Sequence, residues 1–126
     1  MAKWVHADVL DGGLLAIKNG AIREILIKAY AAGDSYATVL ANALATQVIT
    51  SADLVISSSG NNRLITSAAK SPIASADSGP APDLHIAFTN GVDKVLWVTD
   101  ETTDQLVYTG NTEALPSLVY TSNQPT

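Results

Sequence analysis

From Asp83 to Asp100 the chain reads Asp-Leu-His-Ile-Ala-Phe-Thr-Asn-Gly-Val-Asp-Lys-Val-Leu-Trp-Val-Thr-Asp, two β-rich runs on either side of Asn90-Gly91. Leu84, Ile86 and Phe88 alternate with His85, Ala87 and Thr89, and the Asn-Gly pair tolerates the positive φ that a tight reversal needs. The segment predicts a β-hairpin with one buried face. Taking a Trp out of water hides about 150–250 Å² and is worth at most roughly 4–6 kcal/mol, so Trp97 is the strongest single anchor of that face. His85 falls on the other side of its strand and is expected to meet solvent or a partner.

Around this hairpin the chain reads as short strands with little helix. Leu10, Leu14 and Ile17 recur at i, i+4 and i+7 between Asp8 and Asn19, with Asp8 and Asp11 near the start and Asn19-Gly20 at the end, the pattern of a three-turn helix. Gly12-Gly13 in its middle costs about 1 kcal/mol per Gly relative to Ala, so this helix has to dock on something. Residues 1–6 precede it as an arm whose Trp4 and Val5 either pack on their own domain or reach a neighbouring chain. Ala21 to Tyr30 is expected to be the first strand, central or covered on both sides because Ile25, Leu26 and Ile27 are consecutive. Tyr36, Leu40, Ala43 and Leu44 have helical spacing after Asp34 or Ser35 as N-cap, giving one or two helical turns within Tyr36 to Thr46.

Strands then follow at Gln47 to Thr50, Asp53 to Ser57, Arg63 to Ser67 and Ile73 to Ala76, with turns at Ser51-Ala52 and Ser58 to Asn62. Ser78-Gly79-Pro80-Ala81-Pro82 is a stiff connection to the hairpin. Beyond it, Gln105 to Thr109 and Glu113 to Thr121 are expected to pair around Gly110-Asn111, with Pro116 forcing an edge or a bulge. The sum is one all-β domain over residues 1–126, with residues 1–20 its arm and helix: a jelly-roll-like β-sandwich of about eight short strands, more than the smaller immunoglobulin set and without its Cys-Trp-Cys signature.

Charge and composition narrow the function. A formal net charge of −5, with seven Lys and Arg scattered along 126 residues, argues against nucleic-acid binding, which needs clustered cations. Ala37 to Ile49 is the longest apolar stretch, but Asn42, Thr46 and Gln47 interrupt it, and no membrane span or signal peptide is expected. The absence of cysteine removes disulfides and thiolate metal sites. With only 15% of residues charged, part of the surface is suited to being covered by a partner.

Candidate chemistry is thin. His6-Ala7-Asp8 offers an imidazole and a carboxylate without a third ligand and reads as a polar helix start. Asp100, Glu101 and Asp104 do not have the spacing of an EF-hand and read as a solvated turn. Two histidines without a Gly-x-Ser-x-Gly give no activated nucleophile. Ser58 to Asn62 lacks the Lys of a phosphate loop, and Arg63 beside it reads as a structural or interface hydrogen-bonder. No catalytic, cofactor or metal site is expected; the interface candidates are Trp4, Val5, His6 and Arg63.

The opening Trp4-Val5-His6-Ala7-Asp8-Val9-Leu10-Asp11, Ile17-Lys18-Asn19 at the helix end, Leu84-His85-Ile86-Ala87, Gly110-Asn111-Thr112 and the closing Gln124-Pro125-Thr126 resemble a family of small tailed-phage virion proteins. The resemblance runs end to end. It implies a non-enzymatic head decoration or cement protein, made in the host bacterial cytoplasm, that binds the major capsid protein on the outside of the shell and holds neighbouring capsomers together. It implies no cofactor, no nucleic acid and no membrane, and a bridging subunit on a symmetric lattice is expected to be a dimer or trimer. An acidic chain suits the outer surface, away from packaged DNA. The alternatives are another virion subunit (tail tube, head completion or fibre-associated) and a carbohydrate-binding β-sandwich, for which the chain has few spare aromatics.

Overall fold

The computed structural model describes residues 2–126. Ala7–Gly20 forms α1, Arg23–Ile27 β1, Tyr36–Ala41 α2, Ala43–Val48 β2, Leu54–Ser59 β3, Asn62–Ser67 β4, His85–Thr89 β5, Val95–Asp100 β6 and Val119–Ser122 β7. The strands make two antiparallel sheets, a first sheet in the order β2-β1-β5-β6 and a second in the order β3-β4-β7. The chain passes from one sheet to the other after β2, after β4 and after β6, so neither sheet is a local unit. Leu26, Ile86, Phe88 and Trp97 of the first sheet meet Leu54 and Ile65 of the second in one core, which Leu14 and Ile17 of α1 complete. The result is a β-sandwich-like all-β fold with one N-terminal helix.

The helix forms where its apolar spacing requires. His6 is the N-cap, its Nδ1 accepting from the backbone N–H of Asp8 at 3.0 Å, and Asp8 stands in the first turn where a negative charge is favoured. Docking offsets Gly12-Gly13: α1 packs chiefly on β4, with further contacts to β3, β6 and β7. Lys18 in its last turn donates to the carbonyls of Ser51 and Leu54.

The hairpin is built as its alternation demands, with a different turn. Leu84, Ile86 and Phe88 are buried, and Phe88 stacks on its cross-strand partner Trp97 with ring centroids 4.6 Å apart. Only Gly91 of the turn pair takes positive φ. Asn90 works through its side chain, whose Oδ1 accepts from the N–H groups of Val92, Asp93 and Lys94, each at 2.9 Å. The loop is therefore longer than a two-residue reversal, and the ladder shifts register between Phe88 and Thr89.

Four expectations are corrected. Seven strands form among the described residues, not about eight. The helical spacing through Thr46 gives a helix only to Ala41, with Ser35 as its cap; from Ala43 the chain pairs with β1, and tertiary pairing overrides the local pattern. Ile73 makes only an isolated bridge to Thr112. Gln105 to Thr109 is not a strand and does not pair with the tail. Instead Ser78 donates its N–H to the carbonyl of Val107 and accepts the Val107 N–H on its hydroxyl, a side chain replacing a ladder partner, while β7 runs along β4. Pro116 lies just before β7, which is an edge strand of the second sheet.

Candidate partner interface

The arm lies against the tail of its own chain. Gln124 receives the Val5 N–H on Oε1 at 3.0 Å and returns its amide to the Val5 carbonyl at 3.0 Å and to the Asn61 carbonyl at 2.9 Å. Its own N–H bonds Asn62 Oδ1 at 2.8 Å, and Lys3 Nζ reaches the carbonyl of Thr126 at 2.7 Å. One amide thus joins the arm, the tail and the β3–β4 turn. Trp4 is left out of this clasp, with 63% of its surface exposed. Val5 is half-buried and His6 exposed. Met1, the first residue of the arm, lies outside the described residues.

Arg63 is not free. Its Nε and a terminal nitrogen donate to the two oxygens of Asp11 at 2.8 and 3.2 Å, and the other terminal nitrogen donates to Ser58 Oγ at 2.5 Å. The fork matches the carboxylate bidentately, ties α1 to β4 and holds the guanidinium even more firmly protonated than usual. Of the two roles open to Arg63 on sequence grounds, this is the structural one.

The sequence patterning did not reveal the outer face of the second sheet. Register places Val55, Thr66 and Val119 in one row, Ser57, Leu64 and Thr121 in the next, and Ser59 and Asn62 beyond them. Leu54 and Ile65 point the other way, into the core, so these eight side chains face outward and none is ionisable. Val55 and Val119 are 57% and 55% exposed. A strand run such as Leu-Val-Ile-Ser-Ser-Ser already hinted at a face without charge, but only the pairing of three such strands makes it a surface.

The outer face of the first sheet is different. Ile25, Ile27 and Ala87 are fully buried there beneath Val39 of α2 and Tyr30. His85 shares this face with its side chain 16% exposed, so of the two surroundings expected for it, solvent or a partner, open solvent is not the one it meets.

A second place of interest opens where β1 and the start of β5 meet the loops after β4 and β6. A groove of about 400 Å³ is lined by Leu26, Leu84, Leu115 and Pro116, with Lys70, Glu101 and Glu113 among its polar residues. Lys70 turns its ammonium to Asp53 at 2.9 Å, and that hydrogen bond, the largest influence on Asp53, holds its carboxyl below the usual range. Close to this pair Glu24 points into the core from β1, 1% exposed, with neither carboxyl oxygen hydrogen-bonded. Burial pushes its pKa up to about 7, against the pull of Lys70, with Asp53 adding to the rise. Glu24 is not among the groove's lining residues. The chain matches no protein-family model, no curated protein and no solved structure.

Proposed function

We propose that this protein is a phage head decoration protein that seats the outer face of its second sheet on the major capsid protein and stabilises contacts between neighbouring capsid subunits. The observation that carries the reading is that uncharged face on a chain of net charge −5. Val, Leu, Thr and Ser can be desolvated at small expense, whereas Asp or Glu at the same places would have to be paired or stripped of water. The exposed Trp4 beside the clasped tail supplies a large aromatic anchor, a residue type enriched where interfaces hold most firmly. The resemblance of the opening and closing segments to small phage virion proteins supports the same reading. Repetition over a shell turns modest individual contacts into strong attachment.

The two sheets, with the chain crossing between them three times, suit a reduced jelly roll of the kind expected for such a protein. Arg63, committed to Asp11 and Ser58, is left out of the contact set.

Co-sedimentation with undecorated heads tests the proposal. The wild-type chain is expected to bind at high copy number, and to stay bound at about 0.5 M salt because the contact is uncharged. Val119→Glu is expected to abolish binding while keeping the wild-type circular dichroism spectrum, and Trp4→Ala to weaken it. Undiminished binding by both variants removes the face and the arm from the account. A few copies per particle, located at the tail or a vertex, would favour the other virion roles.

A further inference from the structure

At the end of the hairpin away from Asn90, register sets His85 of β5 opposite Asp100 of β6, and Asp83 lies two residues upstream. The His85 ring is held in place: its side chain is 16% exposed, with the Tyr30 ring against it at a centroid distance of 5.9 Å. Its Nδ1 is 3.0 Å from the main-chain oxygen of Asp83. A carbonyl oxygen only accepts, so Nδ1 carries the hydrogen, and in the neutral ring Nε2 presents its lone pair. Nε2 faces Asp100 Oδ1 at 3.6 Å, an arrangement that a positive centre between the two atoms makes favourable.

Among the described residues no Lys or Arg forms an ion pair with Asp83 or Asp100. Around the cluster the N–H of Leu84 is bonded to Asp104 Oδ1 at 2.9 Å, the N–H of Asp83 to the carbonyl of Lys28 at 3.0 Å, and the N–H of Glu101 to the carbonyl of Leu84 at 2.9 Å. One ligand atom each from Asp83, His85 and Asp100 lies within 4.8 Å of the others.

We propose that Asp83, His85 and Asp100 bind a divalent first-row transition ion, with zinc the best match. Calcium and magnesium prefer sites made of oxygen alone, whereas zinc takes an imidazole nitrogen together with carboxylate oxygens and completes four-coordination with water. The Asp83 carbonyl has the usual outer role, fixing the tautomer and ring orientation of the histidine. The site is independent of the attachment surface: it lies on the outer face of the first sheet, and its success or failure leaves the decoration reading untouched.

The test uses the full chain, stripped with chelator and dialysed, titrated with zinc chloride and separately with calcium chloride, by calorimetry and by NMR of the imidazole nitrogens. The chain has two histidines, and exposed His6 beside Asp8 is the internal reference for casual zinc binding. The expected result is saturable binding of one zinc ion, a shift of the His85 Nε2 resonance with His6 unmoved, and affinity at least about tenfold weaker in Asp100→Asn. Asp83→Asn provides a second variant should the first fail to fold. The proposal is overturned by lack of saturation up to about 1 mM zinc, by equal shifts of both histidines, by a folded Asp100→Asn or Asp83→Asn that binds as wild type, or by calcium binding as tightly as zinc. A proton in the same gap would move the His85 signal with pH but leave it insensitive to zinc, which also overturns it.

Discussion

The two sheets share a core but differ in what lies behind them. Behind the first, Val39 of α2 and Tyr30 cover Ile25, Ile27 and Ala87, so β1 is buried on both sides and its ladder is shielded from water. Behind the second, Val55 and Val119 stand exposed, and the face carries no charge to hold a hydration shell. The difference teaches where stability and attachment reside. A sheet buried on both sides can lose stability through either, whereas a bare face contributes little to folding and is free to be selected for contact.

Three measurements would break or sharpen that contrast. The largest effect is expected from Trp97→Ala, which removes the stack on Phe88 and the edge contact to Tyr120 at 5.9 Å. It should lower unfolding free energy in urea by about 4 kcal/mol, as for large aromatic truncations in cores. A loss below about 1 kcal/mol would mean that the first sheet is not the stabilising half.

Next comes Glu24. Its folded pKa of about 7 lies above the ordinary 4.5, so the folded state holds its proton more tightly than the unfolded one. The stability linked to that proton is fully present below pH 4.5 and is lost as pH rises through about 7. Glu24→Gln, which keeps the shape without the charge, should therefore be more stable than wild type above neutrality by on the order of 3 kcal/mol, with the gap closing towards pH 4.5. Urea midpoints across that range measure it, and parallel curves for the two proteins would show that Glu24 is not a buried liability. The smallest effect belongs to the bare face: Val55→Ser should change stability by less than about 0.5 kcal/mol. A larger loss would mean that the face is held by its own chain after all.

Where one periodicity dominated, the sequence was a good guide. The spacing of Leu10, Leu14 and Ile17 located α1 within a residue or two, and the three consecutive apolar residues of β1 correctly required cover on both sides. Ala43 and Leu44 misled because their helical spacing from Tyr36 and Leu40 says little until the segment pairs with β1. The burial of Glu24 was hidden by its neighbour Arg23, since a charged pair at a strand start normally marks solvent; only its parity with Leu26 pointed inward. Arg63's bond to Asp11 spans 52 residues and no local pattern carries it. The Asp83, His85 and Asp100 cluster was within reach: once Phe88 is set opposite Trp97, counting three residues outward on each strand brings His85 to Asp100.

The Gln124 clasp has a practical consequence. Because it grips the main chain of Val5 while Lys3 reaches Thr126, both ends of the described chain emerge side by side. Cargo grafted onto either end would be delivered to one and the same spot, leaving the opposite pole of the molecule unencumbered.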